Sequence, residues 1–460
     1  VCLTGAIAVF AQEFDRWEHA GAPRLETASP RAAQAALEAA IARAPGEIEH
    51  GYVRMPSPAL PYLTANLEID GKYQGWVADA QGKLIAPSAT PWTEFITRLH
   101  INLHLPGSWG LFLVGLTGVA LLSSLISGIL AHPRIFRDAF HLRLGGSRRL
   151  QEADLHNRLG VWALPFHVLV SLTGALLGLT TLIVGVLGLA LFQGDVGKVY
   201  ELFVPAEPKD DPRPAPAIDL VPMFAQVARK APDGRIDAVY LEHPTEMGGA
   251  AMFLVEGANG KLASTDTYIF DRGGRLYFEK QAADNNLGED ILGSIGKLHF
   301  GWFGGGIVKI AYALLGFGLT YLAASGVTIW LARRRDKRNP APGWEKAWAG
   351  VVWGQPAALA AAALCAAVGG TQIATGALIA VWGAVSLAAL AAAIPLAPAR
   401  LSRWLASITA LALLGTAGAH LALRAGSDPV AWTVDAALLA LGLSLSWWTL
   451  RKSGASAVPA

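Results

Sequence analysis

The chain has 460 residues, of which 53% are hydrophobic and 16% are charged, and its formal net charge is +2. Soluble domains carry about 25% charged residues, so this composition excludes an ordinary soluble protein and predicts a membrane protein with the lipid bilayer as its surroundings. Lysine and arginine gather at the ends of apolar stretches, and no nucleic acid is expected as a partner.

The apolar stretches predict a polytopic α-helical membrane protein of about eight transmembrane helices, since about 20 apolar residues cross the hydrocarbon core. The chain begins inside a helix, so the first span is expected to be truncated at its N-terminus. Later spans are expected at 108–131, 159–190 and 305–332, and four more form a C-terminal tail at 350–370, 372–396, 402–423 and 430–450.

The predicted layout alternates membrane segments with polar domains. It comprises the end of the first span (1–11), a first polar domain (12–98), the second and third spans with an Arg-rich loop (99–192), a second polar domain (193–296), the fourth span with its basic end (297–338) and the tail (339–460). Each polar domain has a helical pattern followed by alternating strands, which predicts two small α+β modules.

The unit of helix, polar domain and helix occurs twice, which indicates an internal duplication. Leu3-Thr4-Gly5-Ala6 recurs as Leu172-Thr173-Gly174-Ala175, and Leu99-His100 recurs as Leu298-His299. The duplication therefore predicts that His100 and His299 occupy matched ends of matched helices.

Basic residues predict the orientation of the chain. The loop 132–158, the stretch 333–345, the loop with Arg400 and Arg403 and the C-terminal end are all rich in Lys or Arg, and alternating helices place them on one side. Cytoplasmic loops carry such an excess. This predicts a bacterial inner-membrane protein with both termini in the cytoplasm and both polar domains in the periplasm.

Six histidines lie at or in the repeated helices: His100, His104, His132, His156, His167 and His299. Ionisable residues in membrane helices are costly and usually functional, and an electron-transferring haem takes two axial imidazoles. We expect an outer haem held by His299 with His100, or with His104 in place of His100. His156, His167 and His132 are the inner candidates.

Spacing within the third predicted span supports two haem levels. His156 and His167 are 11 residues apart, which on one straight helix puts them on nearly the same face about 16 Å apart. Direct binding of copper or iron by the imidazoles is a weaker alternative, because no carboxylate lies close in sequence to complete such a site. The expected cofactor is therefore haem b, with two per chain.

Several of these motifs together resemble the PepSY-associated transmembrane family. They are Leu3-Thr4-Gly5-Ala6 leading to Glu13-Phe14-Asp15-Arg16-Trp17, the run 99–106, His132-Pro133-Arg134, Asp154-Leu155-His156-Asn157, the run 160–167 and Leu298-His299-Phe300. The resemblance covers about residues 1–340. It implies that the outer modules are PepSY domains and that the protein is iron-regulated and similar to haem-containing ferric-siderophore reductases.

The resulting expectation is an oxidoreductase, a di-haem b electron conduit that reduces a ferric siderophore or other Fe(III) chelate in the periplasm for iron acquisition. Electrons would come from quinol or a cytoplasmic reductant, and no catalytic residue is assigned. Two alternatives stay open: a PepSY-type regulatory or binding protein without redox activity, and a permease for chelated metal. Against the permease, the tail helices are expected to lack buried charge.

Overall fold

The computed structural model describes residues 1–131, 137, 148–202, 211–257 and 260–454. These residues form two compact units. The helical unit comprises Val1–Ala20, Thr90–Thr180 and His299–Ala460, and the sheet unit comprises Gly21–Ala89 and Thr181–Leu298. The sheet unit is thus shorter at its first segment than the predicted polar domain 12–98, because the ends of that segment are helices that belong to the helical unit.

The sheet unit contains helices α3 (Pro30–Ile41) and α10 (Val221–Lys230) and eight strands. In chain order the strands are β1 (Ile48–Arg54), β2 (Leu63–Ile69), β3 (Lys72–Ala78), β4 (Leu84–Pro87), β5 (Arg235–Glu242), β6 (Ala250–Glu256), β7 (Thr265–Asp271) and β8 (Leu276–Lys280). Helix α3 begins after Ser29, whose side chain accepts a hydrogen bond from the Ala32 amide at 3.1 Å, as N-cap residues do.

The two predicted α+β modules share one sheet. The strand order is β4-β3-β2-β1-β5-β6-β7-β8, and β1 pairs antiparallel with β5 so that Tyr52 lies opposite Tyr240. Each module supplies four strands in mirrored order about this seam. The core consists of fully buried side chains such as Leu67, Phe253 and Phe270. The duplication seen in the sequence is therefore also a duplication of strand order.

The remaining short helices flank the strands and spans. They are α1 (Cys2–Ala8), α2 (Ala11–Glu18), α4 (Pro91–Ile101), α8 (Thr180–Phe192), α9 (Gly197–Tyr200) and α11 (Leu287–Phe300). The long helices are α5 (Gly107–Ala131), α6 (Arg148–Trp162), α7 (Leu164–Gly178), α12 (Gly305–Asp336), α13 (Pro342–Gly369), α14 (Thr375–Ala392), α15 (Pro398–Leu423) and α16 (Pro429–Gly454).

The chain is a polytopic helical membrane protein with a β-sheet region. Among the described residues, six helices are long and apolar enough to cross a membrane, and a seventh span results if α6 and α7 are counted as one. The six are α5 and α12 to α16, which coincide with the predicted spans 108–131 and 305–332 and with the four tail segments.

The predicted continuous helix 159–190 is wrong. It is broken after Trp162, where α6 and α7 meet at a bend of 71°, and again after Gly178, where the short helix α8 begins. Pro165 lies in the first turn of α7. Proline lacks a backbone N–H and its ring clashes with the carbonyl four residues earlier, which favours a break in the helix at this point. His156 and His167 consequently do not share one straight helix face.

The tail helices contain buried charge, contrary to the sequence prediction. Asp428, Asp435 and His420 are each 3% exposed or less. Arg16 of α2 donates two hydrogen bonds to Asp428, at 2.8 and 2.7 Å. Asp435 accepts a hydrogen bond from the Trp17 indole at 2.9 Å and lies 2.8 Å from Nδ1 of His420. Burial is tolerated because each charge has a partner, and these contacts attach the tail to α2.

Candidate functional site

The imidazole rings of His100 and His299 face each other in the helical unit. His100 lies in the last turn of α4 and His299 at the end of α11, and their ring centroids are 6.1 Å apart with an interplanar angle of 16°. The structure thus brings together the two histidines that the duplication places at matched positions. These two residues define the candidate site.

A glycine lies against each of these rings. A Cβ added to Gly5 of α1 would lie 2.7 Å from Cε1 of His100, and one added to Gly174 of α7 would lie 2.9 Å from Cε1 of His299. Real Cβ atoms are not found this close to another heavy atom, so only glycine admits the ring in its present position. The two glycines occupy the same place in the repeated Leu-Thr-Gly-Ala sequence.

A hydroxyl group lies beside Nδ1 of each ring. Oγ1 of Thr173 is 2.9 Å from Nδ1 of His299, and Oγ1 of Thr4 is 3.4 Å from Nδ1 of His100. The backbone carbonyl of Val1 lies 3.1 Å from the same nitrogen of His100. The repeated Thr-Gly dipeptide therefore contacts each histidine twice, once through the hydroxyl and once through the glycine.

His156 of α6 has the same kind of surroundings. Its Nδ1 lies 2.8 Å from Oγ of Ser325, and its Cε1 lies 3.7 Å from the position of a Cβ on Gly326. We call Thr4-Gly5, Thr173-Gly174 and Ser325-Gly326 the hydroxyl–glycine pairs. Each consists of a hydroxyl residue at Nδ1 of a histidine, followed by a glycine that faces the ring.

The three histidines line one cavity of the helical unit. Its volume is about 1250 Å³, and its walls are mostly apolar side chains from α1, α5, α7 and α12, with His100, His299 and His156 among the few polar groups. Ligand pockets typically measure about 300–1,000 Å³. The cavity is large enough for a bulky, flat and largely apolar group. His100 and His299 line one region of it, and His156 lines another.

His104 is not part of this arrangement. Its Nε2 lies 2.9 Å from the backbone carbonyl of Phe95, and its ring stacks on the Phe95 ring at 5.1 Å. A carbonyl oxygen only accepts, so Nε2 of His104 carries the proton and donates it. Of the two alternatives left open for the partner of His299, the structure brings His100 rather than His104 to it.

His167 and His132 complete the predicted set. His167 of α7 is fully buried, and neither of its ring nitrogens has a regular hydrogen-bond partner among the described residues, although the Leu315 backbone approaches the ring. It does not line the cavity with the other three. His132 lies outside the described residues.

The hydroxyl–glycine pairs were not predicted as site residues. The repeat of Leu-Thr-Gly-Ala was visible in the sequence, and so was Ser325-Gly326 at the end of the fourth span. Nothing in the sequence indicated that these residues contact histidines that lie 96, 126 and 169 residues away. Among the described residues, no three or more His, Cys, Asp or Glu side chains converge as they would around a bare metal ion.

Fold and site together define a polytopic helical membrane protein built on a duplicated, histidine-bearing helix unit. The chain belongs to the family of the PepSY-associated TM region, whose model matches residues 1–333. It is also similar to an uncharacterized protein of Pseudomonas aeruginosa, with 31% identity over 396 residues, or 80% of this chain and 97% of the relative. The family membership predicted from the motifs is confirmed.

Proposed function

We propose that the helical unit holds haem b between His100 and His299 and conducts electrons through the membrane. The spacing of the two rings carries this proposal. An iron ion bound by one nitrogen of each ring would hold the two ring centroids roughly 6.4 Å apart, because each metal–nitrogen bond measures about 2 Å and each nitrogen lies roughly 1.2 Å from its ring centre. The observed separation is 6.1 Å, and the rings are close to parallel.

The surroundings of the rings fit such a group. Gly5 and Gly174 leave space for the imidazoles where any larger residue would clash. The cavity beside them is wide and mostly apolar, which suits a macrocycle. His156 lines the same cavity and would be the residue that holds a second haem.

Haem iron with two imidazole ligands transfers electrons. The residues of the site would have three tasks: His100 and His299 would bind the iron, the glycines would set the ring positions, and the apolar side chains of the wall would pack against the macrocycle. The proposed acceptor is a ferric siderophore or other Fe(III) chelate in the periplasm. Reduction releases the metal because hard oxygen ligands hold Fe(II) less tightly than Fe(III).

The proposed electron donor is quinol or a cytoplasmic reductant. Oxidation of one quinol to quinone releases two electrons and two protons, which is enough to reduce two Fe(III) chelates to Fe(II). The chain would then be a ferric-chelate reductase that serves iron acquisition. The protons leave on the side where the quinol is oxidised.

The proposed location is the bacterial inner membrane, with the sheet unit in the periplasm and the basic loops in the cytoplasm. Lys83 of the sheet unit and Arg400 at the start of α15 are both exposed, so cysteines there are suitable probes. In a background with Cys2→Ala and Cys365→Ala, an impermeant thiol reagent added to intact cells should label Lys83→Cys and not Arg400→Cys. The reverse pattern would overturn the orientation.

A visible spectrum tests the haem proposal directly. The purified, dithionite-reduced protein should show sharp low-spin b-type bands. His100→Ala and His299→Ala should each lose the outer haem and leave the bands of a group bound through His156. His104→Ala is the matched control and should keep the wild-type haem content, because His104 already uses Nε2 at a carbonyl.

A colourless wild-type protein would refute this proposal and favour the regulatory alternative. A permease path through the tail is not supported by the buried carboxylates. Asp428 and Asp435 bind Arg16, Trp17 and His420, and neither carboxylate lines the cavity. Their charges therefore hold helices together and are not available to a cation.

A further inference from the structure

Each hydroxyl group of the hydroxyl–glycine pairs is placed to accept a hydrogen bond from its histidine. A threonine or serine hydroxyl has one proton to donate and two lone pairs that accept. Thr173 donates its proton to the Leu169 carbonyl at 2.7 Å, so its oxygen is left to accept from His299. Nδ1 of His299 must therefore carry a proton.

The same reasoning applies to the other two pairs. Thr4 donates to the Val1 carbonyl at 2.9 Å, and Ser325 donates to the Leu322 carbonyl at 3.3 Å. The oxygen of Thr4 then accepts from the Nδ1–H of His100. At Ser325 the contact with Nδ1 of His156, at 2.8 Å, is the shorter of the two, and we assign it by analogy with the other two pairs. For His100 the Val1 carbonyl, which can only accept, faces Nδ1 as well.

In this assignment all three cavity histidines have the proton on Nδ1 and an unprotonated lone pair on Nε2. His104, which does not line the cavity, has the opposite arrangement, since its Nε2 donates to Phe95. A neutral imidazole binds a metal through its unprotonated nitrogen, and a hydrogen bond from the other nitrogen fixes the ring and increases its basicity.

We propose that Thr4, Thr173 and Ser325 are positioning residues that hold His100, His299 and His156 in the tautomer that binds iron through Nε2. This inference rests on the proposed haem function. It adds three residues that never touch the iron but act on its ligands. It also explains why a hydroxyl residue recurs immediately before each glycine.

A purely structural role for these hydroxyls is the alternative. Serine and threonine in helices often bond a carbonyl three or four residues earlier, and Thr409 does so in the tail, donating to the Leu405 carbonyl at 2.8 Å. Such a residue stabilises or bends its own helix only. A test must therefore measure something that helix packing does not change.

The test compares Thr173→Val, Thr173→Ser and Thr409→Val in the full-length protein. Thr173→Val removes the acceptor and keeps the shape, and we expect 10- to 100-fold weaker haem retention at the outer site. The potential of the remaining outer haem should rise, because a less basic imidazole stabilises Fe(III) less. If the ferric form loses ten times more affinity than the ferrous form, the reduction potential rises by about 59 mV. Thr173→Ser should restore both values, and Thr409→Val should change neither.

The outcomes separate the two proposals. A wild-type protein without haem overturns the proposed function and this inference with it. A wild-type protein with haem whose Thr173→Val variant keeps the same affinity and potential overturns the positioning role alone. If Thr173→Val does not elute as a monodisperse protein, Ser325→Ala gives the same comparison at His156, with the inner haem as the readout.

Discussion

Replacing Gly174 with alanine would test whether the glycines exist to admit the histidine rings. The new Cβ would lie 2.9 Å from Cε1 of His299, which is 0.5 Å short of the 3.4 Å at which ordinary contact begins. At Gly5 the distance to His100 is 2.7 Å, which is 0.7 Å short. The ring must therefore move in both variants, and further in Gly5→Ala.

Displacements of this size matter because metal sites need their ligands within about 0.5 Å of the productive geometry. We expect Gly174→Ala to weaken haem binding about tenfold and Gly5→Ala to weaken it more. The assay is the ratio of haem to protein after purification at matched expression, together with the fraction of high-spin haem in the oxidised spectrum.

Gly318→Ala is the matched control. Gly318 lies inside α12, and a Cβ there would meet no atom within 4 Å. Alanine is better than glycine in a helix by about 1 kcal/mol, so this variant should be slightly more stable and keep its haem. If Gly5→Ala and Gly174→Ala also keep their haem, the glycine contacts have no part in placing the ligands and the reasoning from ring position fails.

Three further predictions concern the inner site and the two units. His156→Ala should lose the inner haem and keep the spectrum of the outer one; an unchanged haem content would contradict its assignment. Asp428→Asn removes the carboxylate charge that binds the buried Arg16 guanidinium, which costs about 3 kcal/mol and should lower the melting temperature in detergent by about 5 °C. Arg16→Met combined with it should recover most of the loss. In the sheet unit, burial raises the pKa of the Glu256 carboxyl, but hydrogen bonds from Lys297 and a serine lower it more, so the pKa lies below its usual value. The stability that this pair provides is present above about pH 4.5 and is lost as the pH falls through the lowered pKa. Lys297→Met should remove about 0.5 kcal/mol of this acid-sensitive stability, measured by thermal scans from pH 7 to pH 3. An identical pH dependence in the variant would argue against the pair.

Most of the helix pattern and the central histidine pair could be predicted from the sequence. Apolar length identifies a span without any knowledge of its neighbours, and an internal duplication implies that matched residues lie in matched places. This was sufficient for α5, for α12 and for the proximity of His100 and His299. The pairing of His100 with His299 requires only that the two duplicated halves of the chain pack in the same way.

Other features depend on contacts between distant segments and could not be predicted. The two modules join through β1 and β5, whose edges lie about 190 residues apart in the chain. Nothing in the sequence indicates that these two edges pair. The break before α7 could have been expected from Pro165. The apolar residues on both sides, however, predicted one continuous span. The contact of Ser325 with His156 depends on how two helices rotate against each other.

The bond between Arg16 and Asp428 joins residues 412 positions apart. At about 5–20 residues per second, a ribosome needs roughly 20–80 s to make the second residue after the first. During that interval α2 has been made, but Asp428 and Asp435, which bind its Arg16 guanidinium and its Trp17 indole, have not. A chain that stops before Asp428 therefore lacks the carboxylate that binds this guanidinium, and α2 loses a contact that attaches it to the tail. Asp428, just before α16, and Asp435, within it, thus complete the surroundings of α2.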